Sequence, residues 1–275
     1  MENKENGKFL NFLYKTCIGR IFLKAFASRT VSNIAGAFLS SSLSKPLIKG
    51  FVRKNHIDLS KFYSDDFKCF NDCFSRKIKE TEREIDIIPS HLISPCDAYL
   101  TVYNINSKTV FPVKQAEYDI ESFLNDETLA EEFKDGMCFV FRLCVNHYHR
   151  YCFIDSGKLI KRKYIEGKLH TVRPIALRNV PVFCENCREI SVLETNNFGK
   201  VIQAEVGAML VGKIKNYDIG TFSRGQEKGM FLFGGSTIVV LTKKDTVKAD
   251  GEIMKNSSFG IETEVKYGQK IGIKL

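Results

Sequence analysis

Apolar residues recur at three- and four-residue spacing in the first third of the chain, which is the period of an amphipathic helix. Between residues 8 and 27, lysines and arginines separate the apolar positions, so this segment is predicted to be a basic amphipathic helix. Two further helices are predicted over residues 31–48, where Pro46 interrupts the end, and over residues 65–84. The pattern therefore predicts a helical region over residues 1–85.

After about residue 86 the pattern changes to short runs of Val, Ile, Phe and Tyr separated by Gly, Asn and Asp, which indicates β-strands. Strands are predicted over residues 98–103, 136–145, 180–193, 201–214, 231–241 and 270–274, with a helical insert over residues 120–133. The predicted fold class is therefore α+β. Its helical region, residues 1–85, precedes a mostly antiparallel β-rich domain, residues 86–275, which we expect to form a barrel-like sandwich.

Positive charge is concentrated at the N-terminus. Residues 1–54 contain ten cations and two anions, or +8 of a net charge of +9. Such a segment attracts nucleic acid or an anionic membrane. Its interleaved aromatic residues are mainly phenylalanines on the apolar face and no nucleic-acid-binding signature is present, so we predict no nucleic-acid partner. Two interpretations stay open for the first helix, namely packing on the β-rich domain and anchoring to a membrane surface.

Two observations bear on where the protein acts. No apolar run reaches the roughly 18–20 residues of a membrane span, so a multi-pass membrane protein is not expected. The nine cysteines are scattered, their number is odd, and no secretory signal is apparent. We therefore expect free thiols in a reducing cytoplasmic compartment. Cys184 and Cys187 form a lone Cys-x-x-Cys pair, so no metal site is predicted.

Five separated motifs carry the chemical signal. In chain order they are Ser-Pro-Cys-Asp-Ala from residue 94, Tyr-His-Arg from residue 148, Val-Gly-Ala-Met-Leu-Val-Gly-Lys-Ile from residue 206, Gly-Gln-Glu-Lys-Gly-Met-Phe from residue 225, and Phe-Gly-Gly-Ser-Thr from residue 233. Alone, the last motif would indicate a hairpin turn. Together and in this order, the motifs closely resemble the phosphatidylserine decarboxylases. The resemblance covers roughly residues 86–275.

The resemblance implies that the protein processes itself. Ser236 would attack the carbonyl of Gly235, and the chain would break between them into a β chain, residues 1–235, and an α chain, residues 236–275. Ser236 would become a covalent pyruvoyl group, the cofactor of the family. That group would form a Schiff base with phosphatidylserine and release carbon dioxide to give phosphatidylethanolamine. A glycine before the serine suits this step because it has no Cβ to block close approach.

The resemblance also implies catalytic roles for Asp97, His149 and Ser236. Ser236 would attack, His149 would accept its proton, and Asp97 would orient the imidazole. Many family members carry a second histidine where this chain has Cys152. A thiol accepts a proton readily only when its pKa is lowered, so His170 is the alternative base.

His147 is expected to point away from the site, since alternate residues of a strand face opposite sides of a sheet.

The implied partners are phosphatidylserine in an anionic membrane and the α and β chains of the same precursor, while homo-oligomerisation stays open. The basic N-terminus would hold the protein peripherally at the cytoplasmic face of the cell membrane. Two alternative functions stay open. One is pyruvoyl-dependent decarboxylation of a soluble amino acid, and the other is lipid binding by a processing-deficient protein of the same fold.

Overall fold

The computed structural model describes residues 12–14, 16–26, 28–105, 111–113, 116–171, 176, 182–208, 213–232 and 236–275. Its helices are α1 (Cys17–Phe26), α2 (Arg29–Leu39), α3 (Leu47–Lys54), α4 (Phe70–Phe74), α5 (Ile120–Leu124), α6 (Glu127–Glu132), α7 (Val182–Glu185) and α8 (Gly251–Ser258). Short 3₁₀ turns cover Ser42–Ser44, Leu59–Lys61 and Glu80–Glu82.

The strands are β1 (His91–Ile93), β2 (Ala98–Asn104), β3 (Phe111–Val113), β4 (Ala116–Tyr118), β5 (Met137–Leu143), β6 (Arg150–Cys152), β7 (Gly157–Ile165), β8 (Arg188–Thr195), β9 (Gly199–Val206), β10 (Ile214–Asn216), β11 (Thr221–Phe222), β12 (Glu227–Phe231), β13 (Ser236–Thr242), β14 (Val247–Ala249), β15 (Thr263–Val265) and β16 (Lys270–Lys274).

The strands form one large sheet and three small ones. The large sheet has eight strands in the order β11-β7-β8-β9-β13-β5-β2-β15, and all of its pairs are antiparallel. Two three-stranded sheets, β1-β16-β14 and β10-β12-β6, and the β3-β4 hairpin complete the set. The α+β class and the antiparallel arrangement predicted from the sequence are confirmed.

The expected barrel-like closure is wrong for the part of the chain that the structure describes. The large sheet is open, with edges at β11 and β15. These edge strands have only two and three residues, and each pairs with a single neighbour in this sheet. Such short edges offer too few backbone groups for further pairing.

β13 is the most deeply buried strand of the large sheet. All seven of its residues are buried, and its side chains alternate between two hydrophobic clusters. Ile238 and Val240 pack in the cluster that contains Phe139 and Phe141, on one face of the sheet. Val239 and Leu241 pack on the other face. A strand covered on both faces needs a continuous apolar run, which explains its Ile-Val-Val-Leu sequence.

The predicted helices agree with the structure only in part. α1 covers the second half of the segment 8–27, whose first residues lie outside the described ones. The segment 31–48 forms α2, which ends at Leu39, and a 3₁₀ turn, while α3 begins directly after Pro46. The helix predicted over 65–84 is wrong beyond the five residues of α4. Residues 77–79 pair instead with residues 61–63, through Tyr63 N to Lys77 O and Lys79 N to Lys61 O, both 3.0 Å.

Other predicted boundaries shift because local structure interrupts the apolar runs. The segment 180–193 contains α7 before β8 begins at Arg188. The helical insert 120–133 is two helices, since Asn125 adopts a left-handed conformation with φ of 48° between α5 and α6. The helical region contacts the β-rich part of the chain through a hydrophobic cluster. This cluster includes Phe70 and Phe74 and touches Leu232, the residue after β12.

No helix within the described ranges is both long enough and apolar enough to cross a membrane.

Candidate active site

Ser236 is the first residue of β13, at one end of the large sheet. It lies opposite Leu143, the last residue of β5, while Thr237 lies opposite Val206, the last residue of β9. Because these neighbours run antiparallel to β13, the segments that leave β5 and β9 start beside Ser236. The first of those segments carries His147 and His149.

The Ser236 hydroxyl is buried and has no partner within the described ranges. The residue is 1% exposed, and neither its Oγ nor Oγ1 of Thr237 has a hydrogen-bond partner among the described residues. A buried hydroxyl normally finds a partner, since leaving one unpaired costs about 1–3 kcal/mol. Two adjacent unpaired hydroxyls at a strand end therefore indicate a functional role. Gly235, the predicted partner in cleavage, lies outside the described residues.

His149 is fully buried, and its hydrogen bonding fixes its tautomer. Its Nδ1 lies 2.8 Å from the carbonyl oxygen of His147. A carbonyl only accepts, so Nδ1 carries the proton and Nε2 keeps its lone pair. Nε2 is buried and makes no hydrogen bond within the described part of the chain. The ring is thus arranged as a proton acceptor.

The surroundings of His149 keep it neutral. Phe74 packs on the imidazole at a centroid distance of 4.0 Å. Burial, followed by the positive charge of Arg76, holds the pKa of His149 well below its ordinary value of 6.5. At neutral pH the side chain is therefore uncharged and can take up a proton.

Backbone pairing brings His149 to the end of the sheet where Ser236 lies. The N–H of Phe231 donates to the carbonyl of His149 at 2.9 Å, as β12 pairs with β6. Phe231 precedes Ser236 by five positions, and His149 follows Leu143, the cross-strand partner of Ser236, by six. Both connections are short, so they confine His149 and Ser236 to one region.

Asp97 has other partners than the one predicted. Its carboxylate accepts from Arg83 Nε at 2.9 Å and from the backbone N–H of Tyr267, also at 2.9 Å. Both of these residues and His149 are described, and no hydrogen bond joins Asp97 to His149. Asp97 lies close enough to His147 for its charge to act on that ring. Any orienting effect of Asp97 on His149 is therefore indirect.

His147, which was expected to point away from the site, lies on the segment between β5 and β6. Residues 144–149 form a turn, so strand alternation does not apply to them. His147 is buried, and its Nδ1 accepts from the Cys144 N–H at 3.2 Å. Burial lowers its pKa to about 4, while the charge of Asp97 opposes that change. The signal in the sequence was Asn146, a turn-favouring residue directly before it.

The surroundings of His170 and Cys152, the two other residues considered as the base, indicate structural roles. His170 Nδ1 lies 3.4 Å from the hydroxyl of Tyr14, and its backbone is bonded on both sides by Asn186. Its Nε2 lies 3.4 Å from the carboxylate of Glu185. Burial raises the pKa of the Cys152 thiol to about 12, so this thiol is protonated.

Arg83 and Phe74 are the site residues that the sequence did not single out. Both lie before residue 86, where the resemblance was taken to begin. An arginine within a charged run and a phenylalanine within an apolar pattern carry no individual signal.

Comparison with known proteins identifies the family. The family model described as "Phosphatidylserine decarboxylase" matches residues 70–273, a range that includes Phe74 and Arg83. "Phosphatidylserine decarboxylase proenzyme 2" of Clostridium acetobutylicum is 49% identical over 269 residues, covering 98% of this chain and 92% of that protein.

Two further relatives agree. "Phosphatidylserine decarboxylase proenzyme" of Clostridium perfringens is 41% identical over 97% of this chain and 93% of its own length. The protein of the same name from Ruminiclostridium cellulolyticum is 41% identical over 99% of this chain and 93% of its own length. The predicted enzyme class, a decarboxylase, is confirmed, and the chain belongs to the phosphatidylserine decarboxylase family.

Proposed function

We propose that this chain cleaves itself between Gly235 and Ser236 and then decarboxylates phosphatidylserine to phosphatidylethanolamine with a pyruvoyl group made from Ser236. The observation that carries the proposal is a pair of buried atoms at one end of the sheet that have no hydrogen-bond partner among the described residues. They are Oγ of Ser236 and Nε2 of His149, a nucleophile and a base.

The first step is a change of linkage. Ser236 Oγ attacks the Gly235 carbonyl carbon while His149 Nε2 takes the hydroxyl proton, and the peptide bond is replaced by an ester. Elimination across Cα and Cβ of residue 236 then expels the Gly235 carboxylate and leaves a dehydroalanine. Hydrolysis of that residue releases ammonia and leaves a ketone at the new N-terminus. A buried histidine held neutral suits the first of these steps because it accepts a proton at pH 7.

The described residues fit the proposed cofactor. The position is buried, and the neighbouring Thr237 hydroxyl is free to donate to a carbonyl formed there. When formed, the pyruvoyl group supplies an electron sink for loss of carbon dioxide. The chain's own residues exclude water through Phe74 and Phe231 and hold a proton at His149 for delivery to the product.

β13 would hold the new N-terminus in place after cleavage. It pairs with β5 on one side and β9 on the other, and both belong to the proposed β chain. The proposed α chain also contributes β15 and β16, which pair with β2 and β1. We therefore expect the two fragments to stay together.

We also propose that the helical region docks the enzyme peripherally on an anionic membrane at the cytoplasmic face. Large apolar side chains are exposed along α1, α2 and the segment that follows, namely Ile18, Ile21, Phe22, Ile34, Phe38, Leu43 and Leu47. Exposed lysines and arginines follow on α3, at Lys49, Arg53 and Lys54. Apolar side chains flanked by cations are typical of a surface that enters the interface of an anionic bilayer. We call this set of apolar residues the apolar face.

Mass spectrometry of the purified protein tests the central proposal. We expect two fragments, residues 1–235 and 236–275, and an N-terminus on the smaller one that carries a ketone in place of an amine. Ser236→Ala should remain one chain and have no decarboxylase activity, because it has neither the nucleophile nor the cofactor precursor. Activity in an uncleaved protein, or in Ser236→Ala, would overturn the proposal. An intact wild-type chain that binds phosphatidylserine vesicles without turnover would instead assign the lipid-binding alternative.

A further inference from the structure

A cavity of about 580 Å³ lies between α2 and the end of the large sheet that carries Ser236. On one side it is lined by a stripe of small and polar residues of α2, including Ser32 and Gly36. Cys187, Lys213 and Leu232 line it from the β-rich side. The volume is within the range of about 300–1,000 Å³ usual for small-molecule sites.

Strand pairing places the cavity close to the reacting residue. Arg188, Val206 and Thr237 lie side by side across β8, β9 and β13. Cys187 precedes Arg188 and Ser236 precedes Thr237 at that same end, so two strand spacings, about 10 Å, separate Cys187 from Ser236. Leu232, which also lines the cavity, must lie close to Ser236, since only four peptide units separate the two residues.

Two polar groups in the cavity wall have no side-chain partner among the residues that the structure describes. Ser32 is 6% exposed, and its buried Oγ has no hydrogen-bond partner in the described ranges. Lys213 is exposed, and no carboxylate of the described residues lies within ion-pair distance of it. Its backbone is fixed, because its carbonyl accepts from the N–H of Leu232 at 3.2 Å. A buried hydroxyl donor and an ammonium group that share a cavity suit an anionic oxygen ligand.

We infer that this cavity binds the glycerophosphate part of phosphatidylserine, with the phosphodiester held by Lys213 Nζ and Ser32 Oγ. The inference rests on the proposed function and names the substrate subsite of that same centre. In phosphatidylserine only a few bonds separate the phosphodiester from the reacting amine. A lipid anchored here therefore presents its amine toward residue 236.

The position of α2 agrees with a lipid ligand. The helix presents Ser32 and Gly36 to the cavity, while Ile34 and Phe38 are exposed on another part of its circumference. On a helix, residues 32 and 36 share one side, and residues 34 and 38 lie roughly opposite. α2 therefore separates the cavity from the apolar face, so a headgroup enters beneath the helix while its acyl chains stay on the membrane side.

Lys213→Gln tests the charge. We expect a KM for phosphatidylserine in mixed micelles about tenfold higher than wild type. This is the lower end of the effect expected from losing a hydrogen bond to a charged group. kcat and self-cleavage should be unchanged, and Lys213→Arg should restore the KM. Lys215→Gln is the matched control, since Lys215 is exposed on β10 outside the cavity and its loss changes net charge equally. Equal KM values for the two glutamine variants would overturn the inference.

Gly36→Leu tests the space. An added Cβ at Gly36 meets no atom within 4 Å, and Gly36 lines the cavity, so we expect a leucine side chain there to extend into it. We expect kcat/KM to fall at least tenfold with self-cleavage intact. Gly50→Leu is the control, because Gly50 is equally open on α3 but does not line the cavity. An equal kcat/KM for these two variants would contradict the subsite.

Soluble glycerophosphoserine separates the cavity from the membrane surface. It should inhibit wild-type enzyme competitively and inhibit Lys213→Gln about tenfold more weakly. Equal inhibition of both would overturn the role of Lys213. A wild-type protein that neither cleaves nor decarboxylates would instead refute the proposed function, so the two failures are distinguishable.

Discussion

At the residue scale, the state of His149 decides what the site can do. Its Nδ1 donates to the His147 carbonyl, and its buried Nε2 has no hydrogen-bond partner in the part of the chain that the structure describes. A histidine that was bonded to Asp97 would be stabilised in its charged form, whereas this one is kept neutral by burial and by Arg76. The Asp97 charge is instead balanced by Arg83.

We predict that self-cleavage is independent of pH between about 6 and 8. The proposed base is the neutral form of His149, and its pKa lies well below 6.5, so deprotonation is complete across this range. The rate should fall only in more acidic solution. Precursor made by cell-free synthesis at set pH values, followed on denaturing gels, measures this. A rate that rises through pH 6.5 would contradict a buried neutral base.

We also predict that His149→Gln slows cleavage by about 10²- to 10⁴-fold, the usual contribution of a general base. His170→Gln should cleave at the wild-type rate, because His170 is held by Tyr14 and Asn186. The same gel assay compares them. The opposite ranking would assign His170 as the base.

The motifs in the sequence predicted Ser236, Asp97 and His149, and the structure buries all three. They could not predict the partner of Asp97, because Arg83 lies 14 positions earlier in the chain and approaches only through tertiary packing. The strand alternation used for His147 does not apply, because residues 144–149 form a turn. Local sequence therefore suffices to propose these residues, whereas their side-chain pairing depends on tertiary packing.

At the element scale, a buried ion pair joins the two sheets that surround the site. Lys228 of β12 donates to Glu205 of β9 at 2.6 Å, and both side chains are fully buried. Asn216 of β10 bonds to both partners, at 2.8 Å to Glu205 and 3.2 Å from Lys228. Because β12 leads into the proposed cleavage segment and β9 pairs with β13, this contact holds the approach to Ser236 against the large sheet.

We predict that Lys228→Met lowers the free energy of unfolding by about 3–5 kcal/mol, because it leaves the Glu205 carboxylate buried and uncompensated. The double variant Lys228→Met/Glu205→Leu should recover most of that loss, since it removes both charges. Urea denaturation in the uncleaved Ser236→Ala background measures both. A double variant less stable than the single one would contradict this prediction, because it would show that Glu205 stabilises the fold even without Lys228.

Long, uniformly patterned elements were the predictable part of the fold. β2, β5 and β16 lie within a residue or two of the predicted boundaries, because each is a single apolar run ended by polar residues. The helix predicted over residues 65–84 is mostly absent. Despite the helical periodicity, residues 77–79 pair through their backbone with residues 61–63. The open edges of the large sheet depend on which strands pair across the chain, which no local pattern encodes.

At the scale of the whole molecule, the apolar face and the cavity lie on different sides of the same helix. Under the proposed function, this arrangement would let one element dock on the bilayer and border the proposed substrate subsite. It would then account for a basic, apolar N-terminal region in an otherwise nearly neutral protein.

We predict that Ile34→Glu/Phe38→Glu weakens binding to phosphatidylserine vesicles at least tenfold, because each buried apolar side chain contributes about 1.5–3 kcal/mol and about 1.4 kcal/mol is a factor of ten. Ile87→Glu/Ile88→Glu is the matched control, since both residues are exposed outside the helical region and the charge change is identical. Co-sedimentation measures binding. Equal weakening in both variants would mean that charge alone, and not the apolar face, drives attachment.

The central place of β13 has a consequence for the life of the enzyme. The strand fits between β5 and β9 while it is still tethered to them through the chain, and the proposed cut removes that tether. Refolding of the precursor is intramolecular, but refolding of the cleaved protein requires two separate polypeptides to meet. The fraction of cleaved protein that refolds after denaturation should therefore rise with protein concentration. Cleavage would therefore make the enzyme active, but the mature enzyme would no longer refold as a single chain.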